Sequence, residues 1–574
     1  FGQPGDSATT DEVAHIPSGY SYVKYWDYRL NPEHPPLAKA LAGIPLALQS
    51  NIKGPKDDWS WNGINQWEAG WYMLYEAGND PANVLFWARL PMILLMIGLG
   101  LFIFKWAREL FGRKVALFVL VLFAFYPDII AHGRLVTTDI AAAFGFVIAT
   151  YYFNKAIEKK LLKYTIYAAL AFALAQLLKF SAFLLFGVFI ILIVIRAILE
   201  RKENGFWRSL WLYFKIYFWT CFLSVIVVWI VYIPFVWNTP GCIEHTVLER
   251  NLTDDVRTLP LRNFLHFFEN NPILRGLGHY ILGIMLVIGR VAGGNATYIM
   301  GRLSDKSISW YFPVAWLIKT PITIIAPFLW SIFAYIFKKP KTKEGKWLGA
   351  LILTPIIVYW GLTLKGQLDI GIRHLMPTIP FVLLLIGYML VPIFNTANKF
   401  KAQKVVISIL ILFMIFSVMS YYPSFIGYFN EFVPREKRHE YLNDSSLDWV
   451  QHLLRLKKYV DDNNIKTIKV DYFGGSVTSY YMPQEKEWHS SYGPTTGWIA
   501  VSATFYQSSK LYGEKENKWS YGWLDNIKPK TIIGGSILVF DITDEDLKDH
   551  PPVSPYPIKK VDYPGSANQQ KVGL

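Results

Sequence analysis

Two apolar runs separated by a short basic loop fill Val84–Asp128, which reads "VLFWARLPMILLMIGLGLFIFKWARELFGRKVALFVLVLFAFYPD". A helix that crosses a bilayer needs about 20 mostly apolar residues, because the hydrocarbon core is about 30 Å thick and each residue rises about 1.5 Å. The run 84–105 meets this length, and 114–128 is the shortest candidate. Lys and Arg concentrate between the two runs, which is typical of a cytoplasmic loop. The stretch therefore predicts a polytopic α-helical membrane protein.

The composition of the whole chain agrees with this class. Of its 574 residues, 53% are hydrophobic and 17% are charged, whereas soluble domains carry about 25% charged residues. The formal net charge of +14 could indicate nucleic acid, but the basic residues lie in short loops between apolar runs. We therefore expect membrane lipid, and no nucleic acid, as a partner. Two cysteines give neither a disulfide framework nor a zinc motif.

The apolar runs that we predict to span the membrane are 84–105, 114–128, 137–156, 164–179, 182–199, 211–236, 310–337, 347–364, 375–394 and 405–423. With every basic loop inside, the chain alternates across the bilayer without conflict. The segments on the opposite, extracytoplasmic face are then 1–83, 129–136, 237–309, 365–374 and everything after 424. Leu37–Leu48 is too short to cross and is predicted to lie in the interface. We also expect a membrane helix before Phe1.

The composition changes near Asn430. "NDSSLDWVQHLLRLKKYVDDNN" has a Ser/Asp start signal and apolar residues at helical spacing. "IKTIKVDYFGG", "GWIAVSATFY" and "GGSILVFDIT" have the composition of strands bounded by glycines. The predicted parts are a first external loop with interfacial helices at 1–83, a transmembrane helical domain at 84–428 with a long external loop at 237–309, and a soluble extracytoplasmic α/β domain at 429–574. The Pro-rich tail from His550 is expected to be poorly ordered.

Ionisable residues gather near the helix ends of the predicted external face. Such groups are costly close to a bilayer, so they mark paired charges or functional sites. They are Asp11, Glu12, His15, Glu33, His34, Lys39, Asp128, His132, Arg134, Asp139, Lys319, Asp369, Arg373 and His374. Their common location is the main observation that points to a site.

Each of these groups also has a plain structural alternative. The acidic pair at 11–12 could be solvated surface, and Asp139 could be a helix N-terminal charge favoured by the macrodipole. Lys319 could snorkel to the interface, and the pair at 373–374 could be an interfacial anchor. The turn after His34 could simply start a helix, because proline suits the first helical turn.

Together the same groups suit acid–base chemistry on a phosphorylated substrate. Arg and Lys bind phosphate through charge-assisted hydrogen bonds. A carboxylate in a partly dry site can act as a general base. A site at the membrane edge, with Trp and Tyr around it, suits a substrate that has a lipid tail and a polar head.

Five motifs resemble, in the same order, those of the protein O-mannosyltransferase-like glycosyltransferases of the family 39 type, which use polyprenyl-phosphate sugars. They are "DEVAHIPSGYSYV", "HPPLAKALAGIPL", "AHGRLVTTDIAAAFGF", "GRLSDKSISWYFPVAWLIKTP" and "IGIRHLMPTIPF". The C-terminal domain resembles the extracytoplasmic domain of the bacterial and archaeal branch. The resemblance implies the C-type glycosyltransferase fold. It also implies transfer of mannose or another hexose from a polyprenyl or dolichyl phosphate carrier to an acceptor hydroxyl outside the cell, with inversion.

The resemblance further implies roles for the site residues. Asp11 would be the catalytic base that deprotonates the acceptor, Glu12 would support it, and Asp139 would position the acceptor or the sugar. The residues around the carrier phosphate would be His34, Lys39, Arg134, Lys319, Arg373 and His374. A divalent metal is compatible with the three carboxylates, but this branch is not expected to need one.

Alternatives remain for the acceptor and for the class of protein. The β-trefoil domain of the eukaryotic members has no counterpart here, so the acceptor is a protein, a lipid or an envelope glycan. His34 stands where related aminoarabinose transferases carry a lysine, which argues against lipid A as acceptor. A transporter of lipid-linked sugar would show inverted repeats, which the sequence lacks. A structural anchor would leave Asp139, Lys319 and Arg373 unexplained.

Overall fold

A computed structural model describes residues 6–252, 258–337, 340–395, 401–449 and 451–552. Over these residues the chain is mainly helical, and a five-stranded sheet lies in the C-terminal part. The expected helix before Phe1 and nearly all of the Pro-rich tail fall outside the described residues.

The predicted first external segment folds into α1 (Thr10–Lys24), α2 (Pro36–Ala47), α3 (Trp59–Asn62) and α4 (Gln66–Trp71). Helix α2 begins at Pro36, because proline lacks only a backbone donor that the first turn does not use. Helices α1 and α2 cross at glycines. A Cβ at Gly19 would overlap the carbonyl of Lys39, and one at Gly43 would overlap the backbone of Gly19. This close approach therefore requires residues without a side chain.

The helices that follow form the membrane domain, including the segment predicted as a long external loop. In chain order they are α5 (Pro81–Phe111), α6 (Arg113–Ala124), α7 (Pro127–His132), α8 (Asp139–Lys159), α9 (Leu162–Leu178), α10 (Leu184–Asn204), α11 (Phe206–Val236), α12 (Gly241–Asn251), α13 (Leu259–His266), α14 (Pro272–Gly293), α15 (Tyr311–Lys319), α16 (Ile322–Phe337), α17 (Lys343–Thr363), α18 (Ile379–Asn395) and α19 (Lys401–Met419). Within the described part of the chain, eight helical segments are long and apolar enough to cross a membrane. They contain α5, α8, α10, α11, α14, α17, α18 and α19.

The helix bounds differ from the predicted spans in three places. The span predicted at 114–128 is divided between α6 and α7, because Pro127 starts a new helix. The span predicted at 310–337 is broken before Pro321, whose ring disfavours helix in the preceding residue. Helix α14 lies inside the segment predicted as an external loop, yet it is long and apolar enough to cross. Its interspersed Arg and His residues hid it in the sequence.

Basic loops that are distant in the sequence meet at one end of the helices, where Lys160 and Lys343 both lie near Glu200. Lys155 Nζ lies 3.0 Å from Glu109 Oε2, and Lys343 Nζ lies 2.6 Å from Glu203 Oε2. Helix α8 begins with Asp139 at the other end and finishes among these basic residues. The sharing of one end by the basic loops agrees with the charge alternation in the sequence.

The C-terminal part is an α/β domain, preceded in the chain by a hairpin of β1 (Thr297–Ile299) and β2 (Arg302–Ser304). Its strands are β3 (Ile468–Asp471), β4 (Glu485–Glu487), β5 (Gly497–Ser502), β6 (Thr531–Ile533) and β7 (Ile537–Ile542). The sheet order is β4-β3-β5-β7-β6, with β3 parallel to β4 and β5, and β7 antiparallel to β5 and β6. The helices of this part are α20 (Arg438–Tyr441), α21 (Leu453–Asp462), α22 (Thr478–Tyr481), α23 (Ala503–Glu516) and α24 (Asp544–Asp549). The predicted fold class, a polytopic helical domain with a C-terminal α/β domain, is confirmed.

Hydrogen bonds join the α/β domain to the first external segment. Trp71 Nε1 donates to the carbonyl of Gly475 at 2.6 Å, and Ser476 Oγ donates to the carbonyl of Ala8 at 3.0 Å. The domain therefore rests on the chain just before α1, next to the predicted acidic pair.

Candidate active site

Two carboxylates and two cations that are distant in the sequence meet in one cluster. Arg373 Nη1 donates to Asp11 Oδ2 at 2.6 Å and lies 3.4 Å from Asp139 Oδ2. Lys179 Nζ donates to Asp139 Oδ1 at 2.6 Å. We call Asp11, Asp139, Lys179 and Arg373 the charge cluster. Its members come from the first turn of α1, the first turn of α8, the residue after α9 and the 3₁₀ segment Ile372–Thr378 that leads into α18.

The two carboxylates of the charge cluster differ in exposure. The Asp139 side chain is 1% exposed, whereas that of Asp11 is 23% exposed. The buried Asp139 carboxylate contacts Lys179 and Arg373 at the same time and so holds both cations in place. Asp11 is therefore the carboxylate of this cluster that an incoming hydroxyl can reach.

Glu12 is turned away from the charge cluster and fixes the start of α1. Its two carboxylate oxygens accept from Arg89 Nε and Nη2, each at 2.7 Å, and the side chain is 0% exposed. The backbone N–H groups of Thr9 and Val136 donate to the same carboxylate at 2.9 and 3.1 Å. Burial alone would raise the pKa of Glu12, but Arg89 and the hydrogen bonds lower it overall. Glu12 thus positions its neighbour Asp11.

The beginning of the α/β domain forms one wall of the site. The Arg373 guanidinium lies over the Trp449 ring, 4.1 Å from its centroid, an arrangement that favours the cation. Arg373 Nε also donates to Ser445 Oγ at 3.1 Å. The C-terminal domain therefore supplies side chains that hold Arg373 in place.

Asp444 is a site residue that the sequence analysis did not single out. It adopts φ +51°, in the left-handed region that Asp tolerates better than most residues. Its backbone N–H donates to Thr504 Oγ1 at 3.0 Å. Burial raises the pKa of the Asp444 carboxyl to about 6, and Asp11 acts in the same direction while Arg373 opposes it. The "NDSS" stretch that contains it is predicted from the sequence only as a helix start.

Of the histidines around the charge cluster, His15 and His132 are buried and His34 is partly buried. Burial lowers the pKa of His15, lowers that of His34 well below its ordinary value, and lowers that of His132 to about 3. The rings of His15 and His34 meet edge to face at 5.1 Å, and His15 Nδ1 is 2.8 Å from the carbonyl of Val136. These three imidazoles are neutral at pH 7, so they can bind a ligand by hydrogen bonds and not by charge.

Two of the buried histidine nitrogens that lack a hydrogen-bond partner among the described residues lie around the charge cluster. They are His132 Nδ1 and His374 Nε2. Both rings interact electrostatically with Asp139 and Arg373 of the charge cluster. A buried polar atom without a partner is costly, and at a site it indicates a ligand. The predicted residue His374 is therefore brought to the site, and His132 joins it.

Lys39 is not brought into the charge cluster. Its ammonium donates to Asn31 Oδ1 at 2.5 Å, to the carbonyls of Asn31 and His34 at 2.7 and 2.9 Å, and to Tyr22 Oη at 2.9 Å. These four acceptors share the three N–H donors of the ammonium, so no donor is left for a ligand in this arrangement. In this structure Lys39 holds the turn at His34, because the close crossing of α1 and α2 directs its side chain inward.

Lys319 and Arg134 also bind protein groups beside the cluster. Lys319 Nζ donates to the carbonyls of Ile426 and Ser446 at 2.6 and 2.7 Å, so it holds the turn that carries Asp444. Arg134 Nη2 lies 2.5 Å from Asp6 Oδ2. Of the six residues predicted to contact phosphate, Arg373 hydrogen-bonds to the predicted carboxylates Asp11 and Asp139. His34 and His374 interact electrostatically with Asp139.

Lys179 and Arg89 were also missed, although each left a signal in the sequence. Arg89 is an arginine inside a predicted membrane span, and Lys179 is a lysine at the external end of another. Ionisable residues at such depths usually have a charged partner. The partners, Glu12 and Asp139, lie in other segments and could not be paired without the fold.

A divalent metal at the three predicted carboxylates would have to compete with cations of the chain. Arg89 occupies both oxygens of Glu12, and Arg373 and Lys179 contact Asp11 and Asp139. The arrangement suits binding of an anion next to a carboxylate better than binding of a metal ion.

Residues 82–232 match the model of the family described as dolichyl-phosphate-mannose-protein mannosyltransferase. The resemblance is confirmed. The matched segment is well under half of the chain, and it contains Arg89, Asp139 and Lys179. At the coarse level the match supports a membrane glycosyltransferase with a lipid-linked donor.

Comparison with other proteins gives distant likenesses. No curated protein matches the chain. The oligosaccharyltransferase of Archaeoglobus fulgidus in the apo form is 12% identical, with a TM-score of 0.42 over 90% of this chain and 66% of that one. ArnT from Cupriavidus metallidurans bound to undecaprenyl phosphate is 12% identical, with a TM-score of 0.41 over 93% of this chain and 94% of that one. The chain thus spans 66% of the length of the oligosaccharyltransferase.

Proposed function

We propose that this chain transfers mannose or another hexose from a polyprenyl or dolichyl phosphate carrier to an acceptor hydroxyl on the extracytoplasmic face of the membrane. The observation that carries the proposal is the charge cluster, in which a partly exposed carboxylate lies against the guanidinium of Arg373. The family match over residues 82–232 supports the lipid-linked donor and favours a protein hydroxyl as acceptor.

The proposed reaction assigns one step to each part of the cluster. Asp11 accepts the proton of the acceptor hydroxyl while the acceptor oxygen forms a bond to the anomeric carbon. The bond between that carbon and the phosphate oxygen breaks, and its electron pair leaves with the carrier phosphate. Attack from the face opposite to the leaving group inverts the configuration. Arg373 and Lys179 stabilise the charge that grows on the phosphate.

Because Asp11 is paired with Arg373, binding of the donor is also expected to change the state of Asp11. A carrier phosphate competes with Asp11 for the guanidinium, because both are anions that bind Arg through charge-assisted hydrogen bonds. Donor binding would then release the Asp11 carboxylate for the acceptor. The unpartnered ring nitrogens of His132 and His374 can add hydrogen bonds to the same phosphate when they carry the N–H.

The proposal is tested with purified protein and a polyprenyl-phosphate hexose carrying a labelled sugar. We expect transfer of label to an acceptor, with a Ser/Thr peptide, a membrane lipid and an envelope glycan offered separately. A nucleotide-linked hexose serves as the control donor and should not be used. The proposal would be contradicted if no acceptor received the sugar and if the donor was also not hydrolysed when water was the only acceptor.

Arg373→Ala is expected to weaken donor binding by about tenfold to a hundredfold, because a hydrogen bond to a charged group contributes roughly 1.5–3 kcal/mol. Donor affinity can be measured by equilibrium binding of a radiolabelled polyprenyl-phosphate hexose to the purified protein. Arg435→Ala is the matched control, since Arg435 also lies over an aromatic ring, that of Tyr421, outside the charge cluster. Unchanged donor affinity in Arg373→Ala would remove Arg373 from the phosphate site.

Asp444→Asn is expected to stabilise the fold at pH 7. The folded-state pKa of about 6 exceeds the ordinary value of 3.8, so ionisation of Asp444 costs the folded state free energy. The wild-type stability tied to this group is full below pH 3.8 and is lost as the pH rises through about 6. The gain in the variant is about 1–3 kcal/mol at pH 7, and it should vanish at pH 4.

Thermal unfolding of Asp444→Asn at pH 4 and pH 7 checks this expectation. Asp525→Asn provides a control in the same domain, since its carboxylate is 47% exposed. An equal unfolding midpoint for wild type and Asp444→Asn at pH 7 would show that the Asp444 carboxyl is not held in an unfavourable environment.

A further inference from the structure

A cluster of two histidines and one glutamate lies in the segment between α11 and β1, outside the charge cluster. His245 is on α12, His266 ends α13, and Glu269 lies in the turn before α14. Glu269 Oε2 is 3.2 Å from His245 Nδ1 and 2.8 Å from His266 Nδ1. One ligand atom from each residue lies within 4.8 Å of the other two.

We propose that His245, His266 and Glu269 bind a divalent transition-metal ion, Zn²⁺ by preference, at a site separate from the proposed transfer reaction. Zinc takes His nitrogens and carboxylate oxygens at about 2.0–2.2 Å in a tetrahedron, which places the ligand atoms about 3.3 Å apart. The spacings of 3.2 and 2.8 Å to Glu269 are close to that value. Water fills the fourth position, because the His245 side chain is 55% exposed.

A second carboxylate, that of Glu249, contacts the other ring nitrogen of His266. Glu249 Oε1 lies 3.0 Å from His266 Nε2, and Glu249 Oε2 accepts from Arg262 Nη1 at 2.7 Å. When Nδ1 of a histidine binds a metal, Nε2 carries the proton and needs an acceptor. Metal-bound histidines almost always donate their other N–H to such a group. Glu249 therefore sets the tautomer that leaves Nδ1 of His266 free for the ion.

The stacking of the two rings over one carboxylate oxygen also favours a bound cation. The rings of His245 and His266 stack at 4.7 Å with an interplanar angle of 30°, so two imidazolium rings here would repel each other. Both Nδ1 atoms also point at the same oxygen of Glu269. A cation among the three atoms satisfies two neutral rings and one carboxylate at once.

The ion would join elements that pack against the first external segment. Arg250, on α12, donates from Nη1 to the carbonyl of Gly63 at 2.5 Å. On α14, the His279 ring meets the Tyr28 ring at 4.9 Å, and Tyr28 Oη donates to the carbonyl of His34 at 2.5 Å. Because the metal would tie α12, α13 and the start of α14 together, its expected role is to stabilise this outer wall.

The test uses the full chain in detergent, stripped with a chelator and then equilibrated with ZnCl₂ at micromolar concentration. We expect about one tightly bound zinc per chain by elemental analysis, and a higher unfolding temperature in zinc than in chelator. His245→Ala and His266→Ala should lose the ion, and Glu249→Gln should bind it about 10- to 100-fold more weakly. His489→Ala, at an exposed histidine of the α/β domain, should bind zinc as the wild type does.

Opposite results would overturn the proposal. If the wild-type protein takes up no zinc at these concentrations, it has no such site. If zinc uptake is unchanged in both histidine variants, the zinc binds elsewhere. Should the histidine variants fail to fold, the comparison of wild type with Glu249→Gln decides, since equal affinities would also contradict the site. None of these measurements depends on transfer activity, so they stand apart from the test of the proposed function.

Discussion

Asp11→Asn is expected to abolish sugar transfer while leaving the fold intact. The amide has the size of the carboxylate and can still accept a hydrogen bond from Arg373, which lies at 2.6 Å. It cannot accept a proton from an acceptor hydroxyl, and loss of a general base costs about 10²- to 10⁴-fold in rate. The measurement is transfer of labelled hexose from a polyprenyl-phosphate donor at saturating donor concentration.

The control for this prediction lies in the same external segment. Asp57 is exposed in the short 3₁₀ helix Pro55–Asp57, and Asp57→Asn removes the same charge without touching the charge cluster. It should keep wild-type turnover and wild-type unfolding temperature. Full turnover in Asp11→Asn would mean that another group accepts the proton, and Asp444 would then be the first residue to examine.

Glu12→Gln is expected to cause the largest loss of stability among these substitutions. The change leaves the guanidinium of Arg89 buried, at 5% exposure, without a negative charge opposite it. One of the two Glu12 oxygens that accept from Arg89 is also replaced by an NH₂ donor. Removing one partner of a buried ion pair costs about 3–5 kcal/mol. The free energy of unfolding in denaturant should fall by this amount, and transfer should fall with it because α1 carries Asp11.

The matched control is an ion pair of the same type near the surface. Glu109 pairs with Lys155, and their side chains are 32% and 25% exposed. Glu109→Gln should therefore cost no more than about 1 kcal/mol. Equal losses in Glu12→Gln and Glu109→Gln would contradict the structural role that we assign to Glu12.

The same ion pair predicts how wild-type stability depends on pH. The folded-state pKa of Glu12 is lowered from its ordinary value of 4.5, so its contribution is present above pH 4.5 and is lost as the pH falls through the folded-state value. The wild-type unfolding temperature should therefore decrease on acidification more than that of Glu12→Gln.

The structure brings some of the predicted site residues together and leaves others apart. Asp11, Asp139, Arg373 and His374 were singled out as charges at helix ends on one face, and the structure brings them together. Lys39, Lys319 and Arg134 satisfied the same criterion, yet each ammonium or guanidinium contacts protein acceptors beside the cluster. A sequence motif gives the residue type at a position but not the direction of a long side chain.

The amino-acid sequence by itself determined the membrane class, most of the spans, the α/β domain and the family resemblance. These follow from local properties: an apolar run long enough to cross a bilayer, basic loops between runs, and strand-like segments between glycines. Only the tertiary structure decided the partners of Asp139 and Glu12, the entry of Asp444 into the site and the meeting of His245 with His266. Those contacts join segments far apart in the chain, and charge pairing across such separations depends on how the helices pack, which no local pattern encodes.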